Sequence, residues 1–496
     1  MTASKDLSGT ALQGLLWGIG GKGGIILSNL VVLVILSRLL GPVQFGIYAT
    51  AYIFLDLSFA LASSGIGIAL VQRKDLSEAE LNACFTGYLL VGLSLAALLL
   101  LLSGVFESAL DMPGLKWVLM AVAVIIPGKL LAGFYGACLQ REMKLRAYQN
   151  VQSFPQIMCG LGITVPAAFY GLGVWSLVIG MLASTFIECL ISGLCVSARP
   201  RLTTSLAPLR PLLSVSAATL SNRIIVFIGE NVDKMAIASL LGGASLGLYN
   251  RAASLVFLPT KLLGLPIENV LLSTFSKLQD RKEEIARVIE RIVQMQAVLL
   301  IPAGIGLSLG SPLLIRFILG AQWEAAIPVA QILFAVTFAR LGYIPSETAA
   351  IAIGKAWGAT IRQLLFAGVM IVTAIMGATV ALVWVAVGVA AGRLVFYLLS
   401  LRFVAREFGM KGSAMLAGHA QGFALAALSA VPASAVAHFS TIDDGLVRQI
   451  MLPGVYGAVF LLLLLIGPER LIGAPMAQAR TRLLARSTFL GSTYSS

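Results

Sequence analysis

Apolar runs recur along the whole chain, separated by short gaps that hold the Gly, Pro and charged residues. A helix needs about 20 apolar residues to cross the hydrocarbon of a bilayer. The pattern predicts fourteen such spans, near residues 11–37, 46–70, 82–105, 117–138, 149–170, 173–196, 211–241, 249–273, 292–318, 326–348, 360–380, 382–404, 414–437 and 448–467. The gaps leave no room for a soluble domain. Pro127, Pro259 and Pro266 predict kinks, which a helix facing a protein-lined interior tolerates. The expected fold is all-α: a polytopic membrane protein. Residues 11–36 follow ten polar or small residues and show no evident cleavage site, so they read as the first span and not as a removed signal. Between the eighth and ninth spans, Ser276–Gln294 sets Ile285, Val288, Ile289, Ile292 and Val293 at helical spacing on a charged background. That spacing predicts an amphipathic helix on the cytoplasmic surface.

Composition sharpens the class. Of 496 residues, 58% are hydrophobic and 11% charged, and the mean hydropathy of +0.93 lies well outside the range of soluble domains. The five cysteines fall in or near apolar segments with no Cys-x-x-Cys and no His at ligand spacing, so neither a disulfide framework nor a metal site is indicated. No Walker motif is present. The net charge of +13 reports topology more than a polyanionic partner. With both termini cytoplasmic, 23 Lys and Arg fall on the inner side and five (Arg38, Lys116, Arg251, Arg316 and Arg448) on the outer side. A nucleic-acid partner is therefore not expected.

Seven cations remain at bilayer depth: Lys22, Lys129, Arg223, Lys234, Lys261, Arg340 and Arg393. They face six acids, Asp56, Glu188, Glu230, Asp233, Glu268 and Glu347, so the interior is nearly balanced. Arg223/Glu230, Lys261/Glu268 and Arg340/Glu347 each lie seven residues apart, which places both members on one helix face about 10 Å apart along the axis. Each then meets a partner from another helix, or a ligand. Ion pairs that fix helix packing remain the competing reading for Lys261, Glu268, Arg340, Glu347 and Arg393. Lys129 and Lys234 are expected to sit close enough to a helix end to snorkel out.

The stretch Ser221–Ala252 concentrates this chemistry, with Arg223, Glu230 and Lys234 within roughly 40° of one helical face. It ends in LLGGASLGLYNRA, which matches LLGPVQFGIYATA near the N-terminus at Leu39/Leu240, Leu40/Leu241, Gly41/Gly242, Gly46/Gly247, Tyr48/Tyr249 and Ala51/Ala252, always 201 residues apart. The same offset sets Lys22 opposite Arg223 and Asn29 opposite Glu230. Internal repeats around a midplane site are how many transporters are built.

NVDKMAIASLLGGASLGLYNRA, LSRLLGPVQFGIYATA, the pair Leu258–Pro259 and FSKLQD together resemble the polysaccharide-transport branch of the multidrug/oligosaccharidyl-lipid/polysaccharide exporter superfamily, the Wzx-like oligosaccharide flippases. The resemblance covers nearly the whole chain in span number and spacing. It implies two pseudo-symmetric six-helix lobes, residues 1–200 and 201–408, around a central cavity, followed by two C-terminal helices and a basic tail in 409–496. It also implies translocation, by alternating access, of undecaprenyl-diphosphate-linked repeat units across the cytoplasmic membrane for exopolysaccharide, capsule or O-antigen assembly.

The chemistry of such a substrate fits the residues. A diphosphate needs cations at bilayer depth, a glycan needs a wet route, and a polyprenyl tail can stay in lipid. Lys22 and Arg223 are the candidates for the diphosphate, one as a point charge and one as a bidentate fork. Asn29, Glu230, Lys261, Glu268, Arg340, Glu347 and Arg393 are cavity candidates. Asp56 and Asp233 are candidates for coupling to a proton or sodium gradient, with no other cofactor expected. Membrane lipids and other polysaccharide-assembly proteins are the further partners expected. A multidrug exporter and a peptidoglycan-precursor (lipid II) flippase of the same superfamily are the alternatives within the fold. A polytopic polymerase or ligase is the alternative outside it, although the large external loop such enzymes use is not found.

Overall fold

A computed structural model describes residues 27–62, 75–410, 412–439 and 445–481, with Gly67, Leu70, Val71 and Arg73 between the first two stretches. Lys22 lies outside them. Every regular element among the described residues is helical. In chain order the main helices are α1 (Leu27–Leu39), α2 (Pro42–Ala62), α3 (Glu78–Leu110), α4 (Leu115–Arg141), α5 (Leu145–Cys159), α6 (Val174–Cys195), α7 (Arg210–Leu240), α8 (Gly242–Val256) and α9 (Leu258–Lys277). They continue with α10 (Lys282–Leu314), α11 (Ile327–Ala335), α12 (Thr337–Gly342), α13 (Ile344–Ala352), α14 (Ala356–Ala378), α15 (Leu382–Glu407), α16 (Gly412–Phe439) and α17 (Gly445–Ile466).

Among the described residues, eight helices are long and apolar enough to cross a membrane, or nine if the pair Ala321–Ala335 and Thr337–Ala352, bent by 45°, forms one span. The chain is thus a multi-pass helical membrane protein. Helix α7 has 31 residues, about 46 Å of helix, but holds four charged residues between 223 and 234.

Local sequence explains the breaks. Helix α3 opens on a capping box: the Ser77 hydroxyl accepts from the Glu80 amide at 3.2 Å and the Glu80 carboxylate accepts from the Ser77 amide at 2.9 Å. Pro259 lies in the first turn of α9, where its missing N–H costs nothing, so the span expected over 249–273 is divided at Phe257. Helix α5 runs through a π-turn, Gly160–Thr164, into Val165–Phe169. Pro166 cannot donate to the carbonyl four residues back, and the widened turn absorbs the mismatch.

The amphipathic segment Ser276–Gln294 is not a separate surface helix. Its first part closes α9, and from Lys282 it forms the first turns of α10. Ile285, Ile289 and Val293 are fully buried, packed in one core with Leu401, Val404 and Met415. The periodicity is that of the first turns of a long helix whose apolar side is covered by protein.

Packing divides the described residues into two compact units. One comprises the residues up to Arg251 with Ala367–Val385, and the other Ala252–Phe366 with the residues from Ala386 onward. In the first, α4 packs on α2, α3 and α6, while α7 packs on α2. In the second, α10 packs on α11, α16 and α17.

The sequence repeat has a structural counterpart inside the first unit. A β-carbon on Gly46 would lie 1.8 Å from the carbonyl oxygen of Gly243, and one on Gly247 would lie 1.9 Å from that of Pro42. Pro42/Gly243 and Gly46/Gly247 are both related by the 201-residue offset. The two copies of the motif therefore interlock reciprocally, each presenting a glycine to the other's first helical turn. No other residue type permits so close a backbone approach.

Candidate functional site: a polar cavity in the first unit

Five elements of the first unit surround a cavity of about 470 Å³: α1, α2, α4, the α5 helix with its π-turn, and α6. Its wall carries Asn29, Gln152, Gln156, Ser184 and Thr185 as neutral polar groups and Tyr48 and Tyr52 as aromatic ones. Gln152 and Gln156 are four residues apart and so share a helical face. Gly160 and Thr164, the ends of the π-turn, also line it, as does Gly180, where an added β-carbon would meet the Thr164 hydroxyl.

Three charged residues line the same wall. Lys129 Nζ lies 2.7 Å from Glu188 Oε2, with side chains 29% and 13% exposed. Lys129 also stands 5.7 Å from the Phe59 ring centroid. It is near the middle of the 27-residue α4, about 20 Å of helix from either end. It does not snorkel out, because its counter-ion is at hand.

Asp56 is the third charge. Asn231 and Lys234, both on α7, interact with its carboxylate, and the Asn231 amide donates to the Phe227 carbonyl at 3.1 Å. Lys234 Nζ in turn donates to Asn231 Oδ1 at 2.8 Å and to the Glu230 carbonyl at 3.2 Å. Asp233, 5% exposed, accepts a hydrogen bond from the Tyr249 hydroxyl and one from the Lys234 amide at 2.9 Å. Helix α7 thus backs Asp56 with an amide and an ammonium, while Tyr249, a residue of the repeat motif, holds Asp233.

A second cavity of about 380 Å³ shares Phe59, Gly133 and Gln152 with the first, so the two are neighbours. Arg223 lines it together with Tyr88, Gln140 and Tyr148. The Arg223 side chain is exposed, and no described residue pairs with it. Among the sequence candidates, Asn29, Asp56, Arg223 and, through Asn231, the Asp233–Lys234 segment are brought to this region.

Glu230 also lies on α7 in the first unit, whereas Lys261, Glu268, Arg340, Glu347 and Arg393 belong to the second. Arg340 stacks on Phe257 with its guanidinium carbon 3.6 Å from the ring centroid, and buried Arg393 stands 4.6 Å from the centroid of Phe366. Glu347 accepts both Nε and Nη2 of Arg362, at 2.8 and 2.9 Å, and the Ser400 hydroxyl at 2.7 Å. Such a bidentate, fully satisfied carboxylate is what a packing ion pair looks like. Glu268 is exposed on α9. The side chain of Lys261 lies outside the described residues.

Residues 35–328 match the family described as "Polysaccharide biosynthesis protein". The chain belongs to this family. Among its relatives, the "Lipopolysaccharide biosynthesis protein WzxC" of Escherichia coli (strain K12) is 26% identical over 335 residues, which is 66% of this chain and 67% of that protein. The "Succinoglycan biosynthesis transport protein ExoT" of Rhizobium meliloti (strain 1021) is 27% identical over 329 residues, 65% of each. The matches therefore span about two thirds of these relatives. The solved "Lipid II flippase MurJ, inward closed conformation" superposes with a TM-score of 0.74 at 14% identity, covering 90% of this chain and 97% of that one. An inward-facing "multidrug resistance MATE family transporter of the MOP superfamily" gives 0.60 at 14% identity, covering 78% and 94%. These likenesses establish the transporter fold of this family member.

Sequence reasoning passed over Lys129, Glu188, Gln152 and Gln156 as site residues. The two glutamines left a signal, an amide pair at helical spacing in the polar first half of the span expected over 149–170. The Lys129–Glu188 contact left none, since its partners lie 59 residues apart on different helices.

Proposed function

We propose that this protein is a flippase that moves polyprenyl-diphosphate-linked oligosaccharide repeat units across the cytoplasmic membrane for surface or exported polysaccharide, undecaprenyl being the expected carrier. The observation that carries the reading is the pair of adjoining cavities. One is lined by amides, hydroxyls and tyrosines, and the other borders Arg223, which has no partner among the described residues. Sugar hydroxyls both donate and accept, as amide and hydroxyl side chains do, and tyrosine adds an apolar face with a polar tip. Arg223 matches phosphate oxygens through its fork of donors. The nearly balanced charge of the first cavity suits a neutral glycan surface better than a polyanion, with the phosphate recognised next door. Family membership and the biosynthetic and transport names of the relatives support the same assignment.

In this reading Lys22 assists Arg223 at the diphosphate, the lobes divide near residues 200 and 408, and both termini face the cytoplasm. No bond is made or broken during transport. Asp56 and Asp233 couple the cycle to a proton or sodium gradient, Asp56 being the one that faces the cavity directly. Other polysaccharide-assembly proteins supply and consume the substrate.

The test is the lipid fraction of a strain lacking this chain. Mass spectrometry should show polyprenyl-diphosphate-linked repeat units accumulating while the corresponding polysaccharide is lost from the surface or medium. Unchanged lipid-linked intermediates with normal polysaccharide would refute the assignment.

A further inference from the structure

Helices α14 and α15 form an apolar hairpin, so the start of α14 and the end of α15 lie at the same end. Between those ends is a recess of about 310 Å³ lined by Arg362, Leu399, Arg402, Phe403, Arg406 and Glu407. Its charge is lopsided. Arg362 is neutralised by Glu347 and stacks on Phe403 at 4.0 Å, forming a fixed wall. Glu407 is held by two ammonium groups, Lys282 at 2.9 Å and Lys355 at 2.5 Å, which leaves one positive charge in excess. Arg402 and Arg406, one helical turn apart and exposed, have no ion-pair or hydrogen-bond partner among the described residues.

The depth of the recess is marked by its neighbours. Trp357, 76% exposed, lies in the first turn of α14, where an indole is suited to the interface between headgroups and hydrocarbon. Leu364, Leu365 and Leu398 lie further into the hairpin and are more than half exposed, as lipid-facing side chains are. A site with about three uncompensated positive charges therefore sits level with lipid headgroups and opens beside an acyl-chain surface. Basic recesses between transmembrane helices are suited to anionic headgroups in this way.

We propose that the recess between the start of α14 and the end of α15 binds the phosphate headgroup of an anionic phospholipid through Arg402 and Arg406. Arg362, already engaged by Glu347, positions Phe403 and closes the wall. The acyl chains lie along the leucine face of the hairpin. Zwitterionic lipids bind worse, because their own ammonium groups meet the same surplus of positive charge. The assignment needs only that α14 and α15 span the membrane, and stands or falls separately from the transported substrate.

The test is native mass spectrometry of the full-length protein in detergent titrated with cardiolipin, with phosphatidylcholine as the zwitterionic reference. The Arg402→Gln/Arg406→Gln pair should lower cardiolipin affinity roughly 30-fold, and Arg402→Lys/Arg406→Lys should be intermediate because charge remains without the fork. Lys277→Gln/Arg291→Gln, which removes two exposed charges that do not line the recess, should change affinity less than about twofold. Farnesyl diphosphate tests the other source of a lipid-borne phosphate. If it fails to displace cardiolipin, the site is for membrane phospholipid. If it displaces cardiolipin at lower concentration than cardiolipin itself needs, the phosphate belongs to an isoprenoid diphosphate and the phospholipid assignment is overturned. Wild-type affinity in the Gln pair, or an equal loss in the Lys277/Arg291 pair, would also overturn it.

Discussion

Lys129 on α4 and Glu188 on α6 meet at 2.7 Å on the wall of the main cavity, and each is the other's only ion-pair partner among the described residues. Removing one charge at this depth leaves the other partly desolvated. Glu188→Gln or Lys129→Gln should therefore cost about 1–3 kcal/mol, reduced from the value for a dry pair because the cavity is polar. Lys129→Met/Glu188→Leu should recover much of that loss. Thermal unfolding of the purified variants checks this, and additive effects in the double-variant cycle would show that the pair is not coupled.

The interlocked repeat makes a second prediction. Gly46→Ala or Gly247→Ala forces a methyl group against a backbone carbonyl that cannot rotate away, and should cost at least about 1–3 kcal/mol through overpacking. Gly41→Ala, in the same motif but with nothing within 4 Å of its β-carbon, should fold normally. Melting temperatures of the three variants decide the matter. Equal tolerance at all three glycines would contradict the reciprocal contact.

A third prediction concerns pH and Glu142, in the turn just after α4. Partial burial raises its pKa, but hydrogen bonds from Lys144 and from the amide and hydroxyl of Ser197 outweigh this and hold the carboxyl below its ordinary value. A depressed carboxylate pKa stabilises the fold above the unfolded-state pKa, and that stability is lost as pH falls through the folded value. Wild-type protein should therefore lose more melting temperature than Glu142→Gln between neutral pH and the acid side of the carboxylate range. Parallel pH profiles for the two would remove Glu142 from the account.

The helical membrane fold was legible because a 20-residue apolar run has few alternatives, while eight or nine helices among the described residues, against the fourteen spans expected, have the length and apolarity to cross; the repeat was legible because glycines at fixed spacing mark backbone contact. The pairing of charges was not. Glu347 carries no sequence sign that Arg362 and Ser400 satisfy it, and Asp56 none that Asn231 stands behind it, because those partners arrive only when separate helices pack. The stretch Ser276–Gln294 had the right period and the wrong setting. Amphipathicity shows that a helix has one apolar face but not whether lipid or protein covers it, and here Leu401, Val404 and Met415 do.

Coupling makes the fourth prediction. Asp56 borders the cavity, whereas Asp233 is buried and already holds the Tyr249 hydroxyl. Asp56→Asn should abolish gradient-driven transport in vesicles while leaving substrate binding in place, and Asp233→Asn should act mainly on the amount of folded protein. Full gradient dependence in both variants would exclude coupling through either residue.

The central claim is that a lipid-linked oligosaccharide passes through the first unit's cavities with its diphosphate at Arg223. The direct measurement is the amount of lipid-linked sugar delivered to the outer leaflet of vesicles per molecule of folded protein. Arg223→Gln should lower that rate roughly 10- to 100-fold, the worth of a charge-assisted hydrogen bond to phosphate. Arg223→Lys should restore it only in part because the bidentate geometry is lost, and Lys22→Gln should lower it as well. Wild-type transport per folded molecule in both Gln variants would contradict the claim.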